Sequence, residues 1–526
     1  MHSYSWFIHC IRVGFRSYIR SRFVLRIITI LSQIRKLAGQ TAIYGLSSIV
    51  GRLLNYLLVP IYTRIFTPGE YGVVSEYYAY VTFLMILFTY GMETAYFHFS
   101  TNADEEGKEK IYGNCLSLLS ISSAILSGLL ILFSSSIASA LGYANHPEYI
   151  IWFSLILAFD ALTALPFARL RQLGKAKKFA GLKMFNIVVN ISLNIFFLYF
   201  LPTLAKHGGW IASFYNPAIG VGYVFLANLI ASALTLVFLI PDFKAVKIPL
   251  NIKLIRQMLL YAFPILIAGF AGMINETLDR AILKHLIIDK TVAIEQLGIY
   301  SACYKLSILM TLFVQTFRYA AEPFYFSQQH KDNARELFAR IMNYFVLICS
   351  IIFLAVMLYI DVVKHFIGEK FYAGLTVVPI LLMANLFLGV YLNLSMWYKL
   401  TGQTRFGAWL SIFGATITIA FLFWLIPPYG YVGAAWATFI CYGSMMVASY
   451  IKGQQIYPVP YHLSRLLLFV GVAVGIWLLS LFLVQYFHLS GISMWIMNTL
   501  LLLGYIGTMW KIERGQGSIN ILWKKS

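Results

Sequence analysis

The sequence predicts an all-α integral membrane protein with about 14 transmembrane helices, built as two six-helix repeat lobes plus two C-terminal helices. Of the 526 residues, 60% are hydrophobic and only 11% are charged, whereas soluble domains carry about 25% charged residues. Apolar segments of about 20 residues, the length that crosses a bilayer, recur along the chain. Two blocks of sequence also recur at an offset near 226 residues. Together these observations predict a duplicated bundle of membrane-spanning helices.

The chain begins with a basic segment, residues 1–38, which holds seven Lys and Arg residues. It contains no uninterrupted apolar span, and no small-residue cleavage site follows a hydrophobic stretch, so it does not resemble a secretory signal peptide. We expect either an amphipathic helix on the cytoplasmic membrane surface or a start codon assigned too far upstream.

Fourteen apolar segments follow, with ends that pattern analysis defines to within about two to four residues. Their bounds are 39–61, 74–98, 112–139, 149–168, 183–203, 219–240, 258–279, 297–325, 341–362, 375–398, 406–426, 430–451, 464–485 and 491–510. The first six spans form a predicted N-lobe at 39–240, and the next six form a C-lobe at 258–451. Two extra spans occupy 464–510, and residues 511–526 form a cytoplasmic tail.

The positive charges predict the orientation of these spans. With the N-terminus inside, 30 of the 40 Lys and Arg residues fall in inner segments, 7 in outer loops and 3 within spans. This asymmetry obeys the positive-inside rule and predicts that both termini are cytoplasmic. It also accounts for the net charge of +20, so no nucleic-acid partner is required. The five cysteines show neither a disulfide framework nor metal-ligand spacing.

The internal repeat relates the first six spans to the next six. One block pairs EYGVVSEYYAYVTFL with QLGIYSACYKLSILM, so that Gly72 matches Gly298 and Tyr78 matches Tyr304. A second block pairs the basic loop RLRQLGKAKKFAG with WYKLTGQTRFGA. In transporters, repeats of this kind place the substrate site between the halves, near the bilayer midplane.

The first span carries a charged residue near its centre. Arg52 lies in the apolar stretch GQTAIYGLSSIVGRLLNYLLVPIYTRIF, and Asn55 shares its helix face. A guanidinium at mid-membrane costs at least about 2.5–3.5 kcal/mol on insertion scales, so we expect it to face a water-filled or ligand-filled interior. The alternative is that Arg52 snorkels to the membrane surface or pairs with a carboxylate on a neighbouring helix.

Two neutral polar patterns are interpreted as structural. Asn186, Asn190 and Asn194 recur at i, i+4 and i+8, a spacing typical of contacts between membrane helices. Several tyrosines of the second span are able to stack on sugars, but belts of aromatic residues at the membrane surface are common.

Several stretches together resemble one superfamily of transporters. The opening TAIYGLSSIVGRLLNYLLVPIYTRIFTPGEYG, the second-span end GMETAYFHFS, the basic loop LGKAKKF and the late GYVGAAWATFI carry the resemblance. They are similar to the multidrug/oligosaccharidyl-lipid/polysaccharide (MOP) flippase superfamily, and within it to the polysaccharide transporters that flip O-antigen and other lipid-linked oligosaccharides. The resemblance covers roughly residues 39–510. It implies two six-helix lobes around a cavity that opens alternately to either side.

The substrate that the resemblance implies is a polyprenyl pyrophosphate bearing a sugar chain, moved across the bacterial cytoplasmic (inner) membrane for surface polysaccharide biosynthesis. Its anionic head needs fixed positive charge, and arginine binds phosphate oxygens in pairs. The candidate substrate-binding residues are Arg52, Asn55, Arg64, Arg280, Lys305 and Arg318. For each cation the alternative is an ion pair that stabilises a lobe, or an anchor at the membrane surface.

Acidic side chains in the spans are candidates for a coupling-ion site. A carboxylate in a partly dry cavity can carry a proton, and with carbonyl and amide oxygens it can hold sodium. The candidates are Asn275, Glu276, Asp279 and Glu322, and Asp160 is a further acid in the fourth span. For Asp279 the alternative is an ion pair with Arg280 at the membrane surface. The sequence predicts no catalytic residue, no metal site and no cofactor other than a coupled H⁺ or Na⁺.

Three other functions stay open at this point. A multidrug exporter of the same fold generally handles cations, and a positive charge at Arg52 argues against a cationic substrate. A lipid II exporter is a closer relative, which sequence separates poorly from an oligosaccharide flippase. A membrane-embedded polysaccharide polymerase or ligase needs a substantial outer domain, whereas the longest outer loops are about 15–18 residues, near 202–219 and 280–297. The expected partners are lipid-linked oligosaccharide and membrane lipids. Contact with other polysaccharide-assembly proteins is a further possibility that the sequence does not decide.

Overall fold

The computed structural model describes residues 50–51, 53–54, 56–208, 213, 215–243 and 250–514. Within these residues the protein consists of helices and short connections, with no β-strand. The helices of the first half are α1 (Leu58–Ile65), α2 (Pro68–Thr89), α3 (Met92–Ser100), α4 (Glu105–Leu132), α5 (Ser134–Ala140), α6 (Pro147–Gln172), α7 (Ala176–Ile195), α8 (Leu201–Lys206) and α9 (Gly222–Phe243). A π-helical turn (Phe196–Phe200) joins α7 to α8, and a 3₁₀ turn (Pro217–Ile219) precedes α9.

The second half continues the same pattern of helices. They are α10 (Ile252–Leu286), α11 (Lys290–Leu306), α12 (Ile308–Gln328), α13 (Ala334–Leu358), α14 (Ile360–Val363), α15 (Val378–Leu394), α16 (Met396–Leu400), α17 (Arg405–Ile456), α18 (Leu463–Tyr486) and α19 (Gly491–Arg514). Two 3₁₀ turns (Lys364–Phe366 and Glu369–Val377) connect α14 to α15. The predicted all-α fold class is confirmed.

The helices are long and apolar enough to form the predicted membrane bundle. In the described part of the chain, eleven helical segments can cross a bilayer, or twelve when α11 and α12, which meet at a bend of 53°, count as one span. Helix α17 is long enough for two spans, and the first predicted span, 39–61, lies largely outside the described residues. A bundle of about 14 spans fits these observations.

Helix α17 is a hairpin of two spans rather than one rod. Its 52 residues would extend about 78 Å if they formed a straight helix. Gly430 interrupts it with a φ of 57° and a ψ of −135°, which glycine adopts without a side-chain clash. The Cys441 thiol then donates to the Gly414 carbonyl across 3.6 Å, although 27 positions separate the two residues. The chain therefore reverses at Gly430, where the predicted span 430–451 begins.

Helix α10 is longer than the sequence predicted. It contains 35 residues, whereas the predicted span ended at 279 and was followed by an outer loop over 280–297. Residues 287–289 alone connect α10 to α11. The helix continues past its charged residues because they have partners: Arg280 pairs with Asp279, and Lys284 pairs with Glu76. The backbone hydrogen bonds of a helix are made within the helix itself, so the helix can continue past charged side chains that are neutralised inside the bundle.

The repeat-related helices α2 and α11 both begin with a side-chain cap. Thr67 and Glu70 form a capping box at the start of α2. At the start of α11, the Asp289 carboxylate accepts hydrogen bonds from the N–H groups of Thr291 and Val292 at 2.9 and 3.2 Å. These caps satisfy donors that the first turn of a helix leaves unpaired, and they fix where each helix begins.

Helices α2 and α11 pack against each other through the glycines that the repeat aligned. A Cβ on Gly298 would lie 1.8 Å from the Pro68 carbonyl oxygen, and a Cβ on Gly72 would lie 2.1 Å from the Ile294 carbonyl oxygen. Pro68 and Ile294 are 226 positions apart, as are Gly72 and Gly298. Each half therefore presents the same surface to the other, as in a two-fold contact. The repeat thus places a pseudo-two-fold axis between α2 and α11.

The largest buried apolar cluster joins the two halves beside this contact. It includes Tyr62 and Tyr71 from the first half and Leu297 from the second. Nearby, the Gly368 N–H donates to the Thr63 hydroxyl at 3.0 Å. We call this end of the bundle the predicted outer end, because the charge distribution places the turns after the first and seventh spans outside.

Candidate functional site

A polar cavity of about 560 Å³ lies between the two lobes. Its N-lobe wall comes from α1, α2, α7 and α9, and its C-lobe wall comes from α10 and α11. The polar side chains that line it are Tyr62, Tyr71, Ser75, Tyr78, Thr82, Asn186, Asn190, Asn228, Glu276, Thr277, Arg280, Ser301 and Lys305. The two basic residues of this lining are both on the C-lobe wall. We call this space the central cavity.

Arg280 borders the central cavity and is held by the helices around it. Its Nε lies 3.3 Å from Asp279 Oδ1, and its Nη2 donates to the Glu276 carbonyl. Its guanidinium carbon lies 4.5 Å from the ring centroid of Tyr304. Asp279 is buried and also accepts a hydrogen bond of 2.6 Å from the Tyr300 hydroxyl. These contacts fix the guanidinium at the cavity wall, where its planar set of donors is preorganised.

Lys305 borders the same cavity from the last turn of α11. Its Nζ lies 5.2 Å from the ring centroid of Tyr56, and none of the ion pairs formed by the described residues includes it. Ser301 lies one turn earlier, and its buried hydroxyl has no hydrogen-bond partner among these residues. An ammonium and an unsatisfied hydroxyl on one helix face favour a ligand rich in acceptor oxygens.

Among the described residues, the N-lobe wall carries amides and tyrosine hydroxyls rather than charge. The sequence interpreted the asparagines of α7 as a helix contact, and Asn194 does accept a hydrogen bond of 2.8 Å from the Tyr62 hydroxyl. Asn186 likewise donates to the Thr235 hydroxyl of α9 at 2.9 Å, and both Asn186 and Asn190 line the central cavity as well. Amide groups both donate and accept, so they match the hydroxyl groups of sugars.

Four of the six predicted substrate-binding residues do not contribute to the described cavity lining. Arg52 and Asn55 lie outside the described residues. Arg64 lies at the predicted outer end, where its Nη2 donates to the His365 carbonyl at 2.8 Å and its Nη1 donates to the Pro60 carbonyl at 2.9 Å. It therefore links α1 of the N-lobe to a 3₁₀ turn of the C-lobe.

Arg318 and Glu322 lie together, but away from the central cavity. Arg318 Nε is 3.4 Å from Glu322 Oε1, and Lys399 on α16 contacts the same carboxylate oxygen. This network joins α12 to α16 within the C-lobe. The sequence did not single out Lys399, because a lysine in a basic loop already fitted the topological pattern.

The other three coupling-ion candidates have three different surroundings. Glu276 lines the central cavity, whereas Asp279 is buried and bonded to Tyr300. Asn275 contacts α17, where it donates to the Ser411 carbonyl at 3.1 Å and accepts from the Thr418 hydroxyl at 3.2 Å. Neighbouring positions on a helix point about 100° apart, so Asn275 and Glu276 face different surroundings although they are adjacent in sequence.

A second contact between the lobes, a buried ion pair, was missed by the sequence analysis. Glu76 on α2 is fully buried, and its Oε2 lies 3.0 Å from Lys284 Nζ on α10. The hydroxyls of Tyr80 and Tyr143 donate to the same carboxylate. Lys284 also donates to the Leu141 carbonyl at 2.6 Å. Because the partners are 208 positions apart, no local sequence pattern connects them. The one sign of the ion pair in the sequence was an acidic residue within an apolar span.

An all-helical membrane bundle with two repeat-related lobes and a charged cavity between them is the architecture of a MOP-superfamily transporter. The fold is similar to that of a solved structure described as lipid II flippase MurJ in an inward closed conformation, with a TM-score of 0.66, 14% identity, and coverage of 90% of this chain and 99% of that one. It is also similar to an inward-facing multidrug resistance MATE family transporter of the MOP superfamily, with a TM-score of 0.61, 13% identity, and coverage of 77% and 94%.

Residues 37–330, more than half of the chain, match the family described as polysaccharide biosynthesis protein, and the chain belongs to that family. No curated protein matches the chain by sequence. The predicted membership of the MOP superfamily is confirmed. The fold is similar to that of multi-pass membrane transporters.

Proposed function

We propose that this protein translocates a polyprenyl-pyrophosphate-linked oligosaccharide across the bacterial cytoplasmic membrane by alternating access. The family description supports a role in polysaccharide biosynthesis. The observation that carries the proposal is the position of Arg280 and Lys305 in a cavity that both lobes line. In this proposal the two termini are cytoplasmic, as the charge distribution predicts.

The two cations would replace the water that a pyrophosphate loses when it leaves solvent. A guanidinium binds phosphate oxygens in a bidentate geometry, and an ammonium adds a mobile point charge. Glu276 is the one carboxylate of the described lining, and Arg280 is already paired with Asp279. Lys305, which none of the ion pairs of the described residues includes, is therefore the cation available to an anionic lipid head. Such a cation disfavours the cationic compounds that a multidrug exporter handles.

The remaining parts of the substrate would occupy different surroundings. A volume of about 560 Å³ lies within the range of about 300–1,000 Å³ that is typical of ligand sites, and we assign it to the pyrophosphate and the first sugars. The asparagines and tyrosines of the N-lobe wall would bind the sugar hydroxyls. The polyprenyl tail would stay in the bilayer, because bringing its apolar surface into a polar cavity is unfavourable.

For the driving ion we propose H⁺ or Na⁺, with Glu276 as the acid nearest to the substrate head. Glu276 lines the cavity one helical turn from Arg280. A bound cation would remove the negative charge of this carboxylate and strengthen the positive field at the pyrophosphate. Substrate and ion would then favour each other's binding, as energetic coupling requires.

Removal of the two cavity cations tests the proposal. In vesicles that hold the purified protein and a fluorescent polyprenyl-pyrophosphate oligosaccharide, we expect Lys305→Ala and Arg280→Ala each to slow translocation at least about tenfold. The reason is that a hydrogen bond to a charged group contributes about 1.5–3 kcal/mol. Translocation is measured as the fraction of lipid that a membrane-impermeant quencher can reach. The control is Lys206→Ala, at an exposed lysine outside the cavity, which should behave like the wild type.

Wild-type rates in both cavity variants would contradict a role for these cations in binding the lipid head. Transport of a cationic dye, without transport of the lipid-linked sugar, would favour the multidrug exporter. Translocation of lipid II, but of no other lipid-linked saccharide, would favour the lipid II exporter.

A further inference from the structure

A second polar cavity, of about 500 Å³, lies inside the N-lobe. The helices α2, α3, α6, α7 and α9 enclose it. Its polar lining residues are Thr89, Glu93, Asp160, Thr163, Arg171, Lys183, Asn186 and Thr235. Asn186 lines this N-lobe cavity and the central cavity as well, so the two spaces are neighbours across a single side chain.

Asp160 is the unusual group of the N-lobe cavity. It lies near the middle of the 26-residue helix α6, at the depth where an ionised side chain is most costly. The Ser232 hydroxyl of α9 is its hydrogen-bonding neighbour. None of the ion pairs formed by the described residues includes Asp160. A carboxylate in this position needs a proton or a cation to neutralise it.

The other charged and titratable groups that face Asp160 come from four helices. Lys183 on α7 lines the same cavity, with its Nζ 4.1 Å from the ring centroid of Phe167. On α6 itself, Arg171 pairs with Glu93 of α3. Tyr78 on α2 is a further titratable neighbour. Arg171 is therefore engaged by another carboxylate, and among the described residues of this cavity Lys183 is the cation left to interact with Asp160.

We propose that Asp160 is a proton-binding site of the N-lobe, through which a proton gradient is coupled to translocation. A proton taken from water in the cavity would bond to a carboxylate oxygen of Asp160 and remove its charge. Release of that proton to water would restore a carboxylate that attracts Lys183. Proton binding rests on the geometry of the N-lobe alone, whereas its coupling to translocation rests on the proposed function.

The surroundings favour a proton over a metal cation at this position. Sodium and calcium bind several oxygen ligands at once, so a metal ion needs more than one carboxylate. A proton needs only the one carboxylate. The site also differs from Glu276, which lies in the central cavity and on the other lobe.

Infrared difference spectra of the full-length protein in lipid nanodiscs test proton binding without any substrate. A change of pH should produce a carbonyl band of a buried protonated carboxyl group in the wild type. Asp160→Asn should remove this band, and Asp160→Glu should shift it while keeping it. The control Asp332→Asn, at an exposed carboxylate, should leave the band in place. An unchanged band in Asp160→Asn would overturn the proposal.

Vesicles with an imposed pH gradient test the coupling separately. The gradient should accelerate translocation of the lipid-linked sugar by the wild type several-fold, and translocation by Asp160→Asn should no longer respond to it. A full response in Asp160→Asn would overturn the coupling. If the wild type moves no lipid-linked sugar at all, the proposed function fails, while the infrared result still decides whether Asp160 binds a proton.

Discussion

At the scale of single residues, contact between the lobes depends on two positions that lack a side chain. Gly72 and Gly298 allow the backbones of α2 and α11 to approach so closely that a methyl group at either position would overlap a carbonyl of the other helix. The obstacle is backbone rather than a flexible side chain, so local rotation cannot relieve it. The repeat explains why both positions are glycine, because the equivalent surfaces of the two halves pack against each other across the pseudo-two-fold axis.

We expect Gly298→Ala to lower the thermal unfolding temperature of the purified protein. The new methyl group would lie 1.8 Å from the Pro68 carbonyl oxygen, and overpacking of this kind destabilises proteins by about 1–3 kcal/mol. The matched control is Gly272→Ala, another helical glycine of a membrane span, whose Cβ would meet no heavy atom within 4 Å. Equal unfolding temperatures for the two variants would show that the contact between α2 and α11 tolerates a side chain.

At the scale of helices, polar contacts decide how α2 of the N-lobe meets α10 of the C-lobe. The ion pair between Glu76 and Lys284 is buried, and hydroxyls and a backbone carbonyl complete its hydrogen bonds. A buried pair of this kind contributes little net stability, but removal of one partner leaves the other charge buried and uncompensated. The pair therefore holds α10 in one register against α2.

We expect Lys284→Met to destabilise the protein strongly, by about 3–5 kcal/mol, because it leaves the Glu76 carboxylate buried without its cation. The double variant Glu76→Gln/Lys284→Met should recover most of this loss, since neither charge remains. Thermal unfolding of the two single variants and the double variant measures the coupling between the partners. Additive losses in the double variant would show that the two side chains do not interact energetically.

At the scale of the whole molecule, several contacts close the lobes against each other at the predicted outer end. They include the glycine contact, the buried ion pair and the hydrogen bonds of Thr63 and Arg64 to the C-lobe. If the lobes alternate access as proposed, all of these contacts must separate in each cycle. If the free energies of the two arrangements differ by only a few kcal/mol, a ligand that binds one arrangement more tightly can shift the equilibrium between them.

A disulfide across this end tests the requirement for separation. Gly69 and Glu295 lie opposite each other near the starts of α2 and α11, and a Cβ on Gly69 would lie 3.6 Å from the Glu295 Cγ. A cysteine sulfur at position 295 would take the place of that Cγ, so the two positions are near enough to be tested for a disulfide. We expect Gly69→Cys/Glu295→Cys to block translocation when oxidised and to regain it on reduction, whereas each single variant stays active. The four cysteines of the described residues are all buried. Full activity of the oxidised double variant would contradict alternating access at this end.

The sequence predicted the fold because membrane insertion leaves strong local signals. Runs of apolar residues, the distribution of Lys and Arg, and the internal repeat each depend on nearby residues or on simple counting. They gave the all-α class, about 14 spans and the two-lobe architecture. The sequence also selected Lys305 and Arg280 as candidates, because an intramembrane or membrane-edge cation needs an explanation.

Only the tertiary structure decided which of these charged residues share a cavity. It put Arg280 and Lys305 on one wall, joined Arg318 to Glu322 and Lys399, and paired Glu76 with Lys284 across 208 positions. The physical reason is that the electrostatic state of a buried charge depends on neighbours a few ångströms away, and in a helical bundle those neighbours come from distant parts of the chain. Local patterns identify residues that need a partner, but helix packing selects the partner.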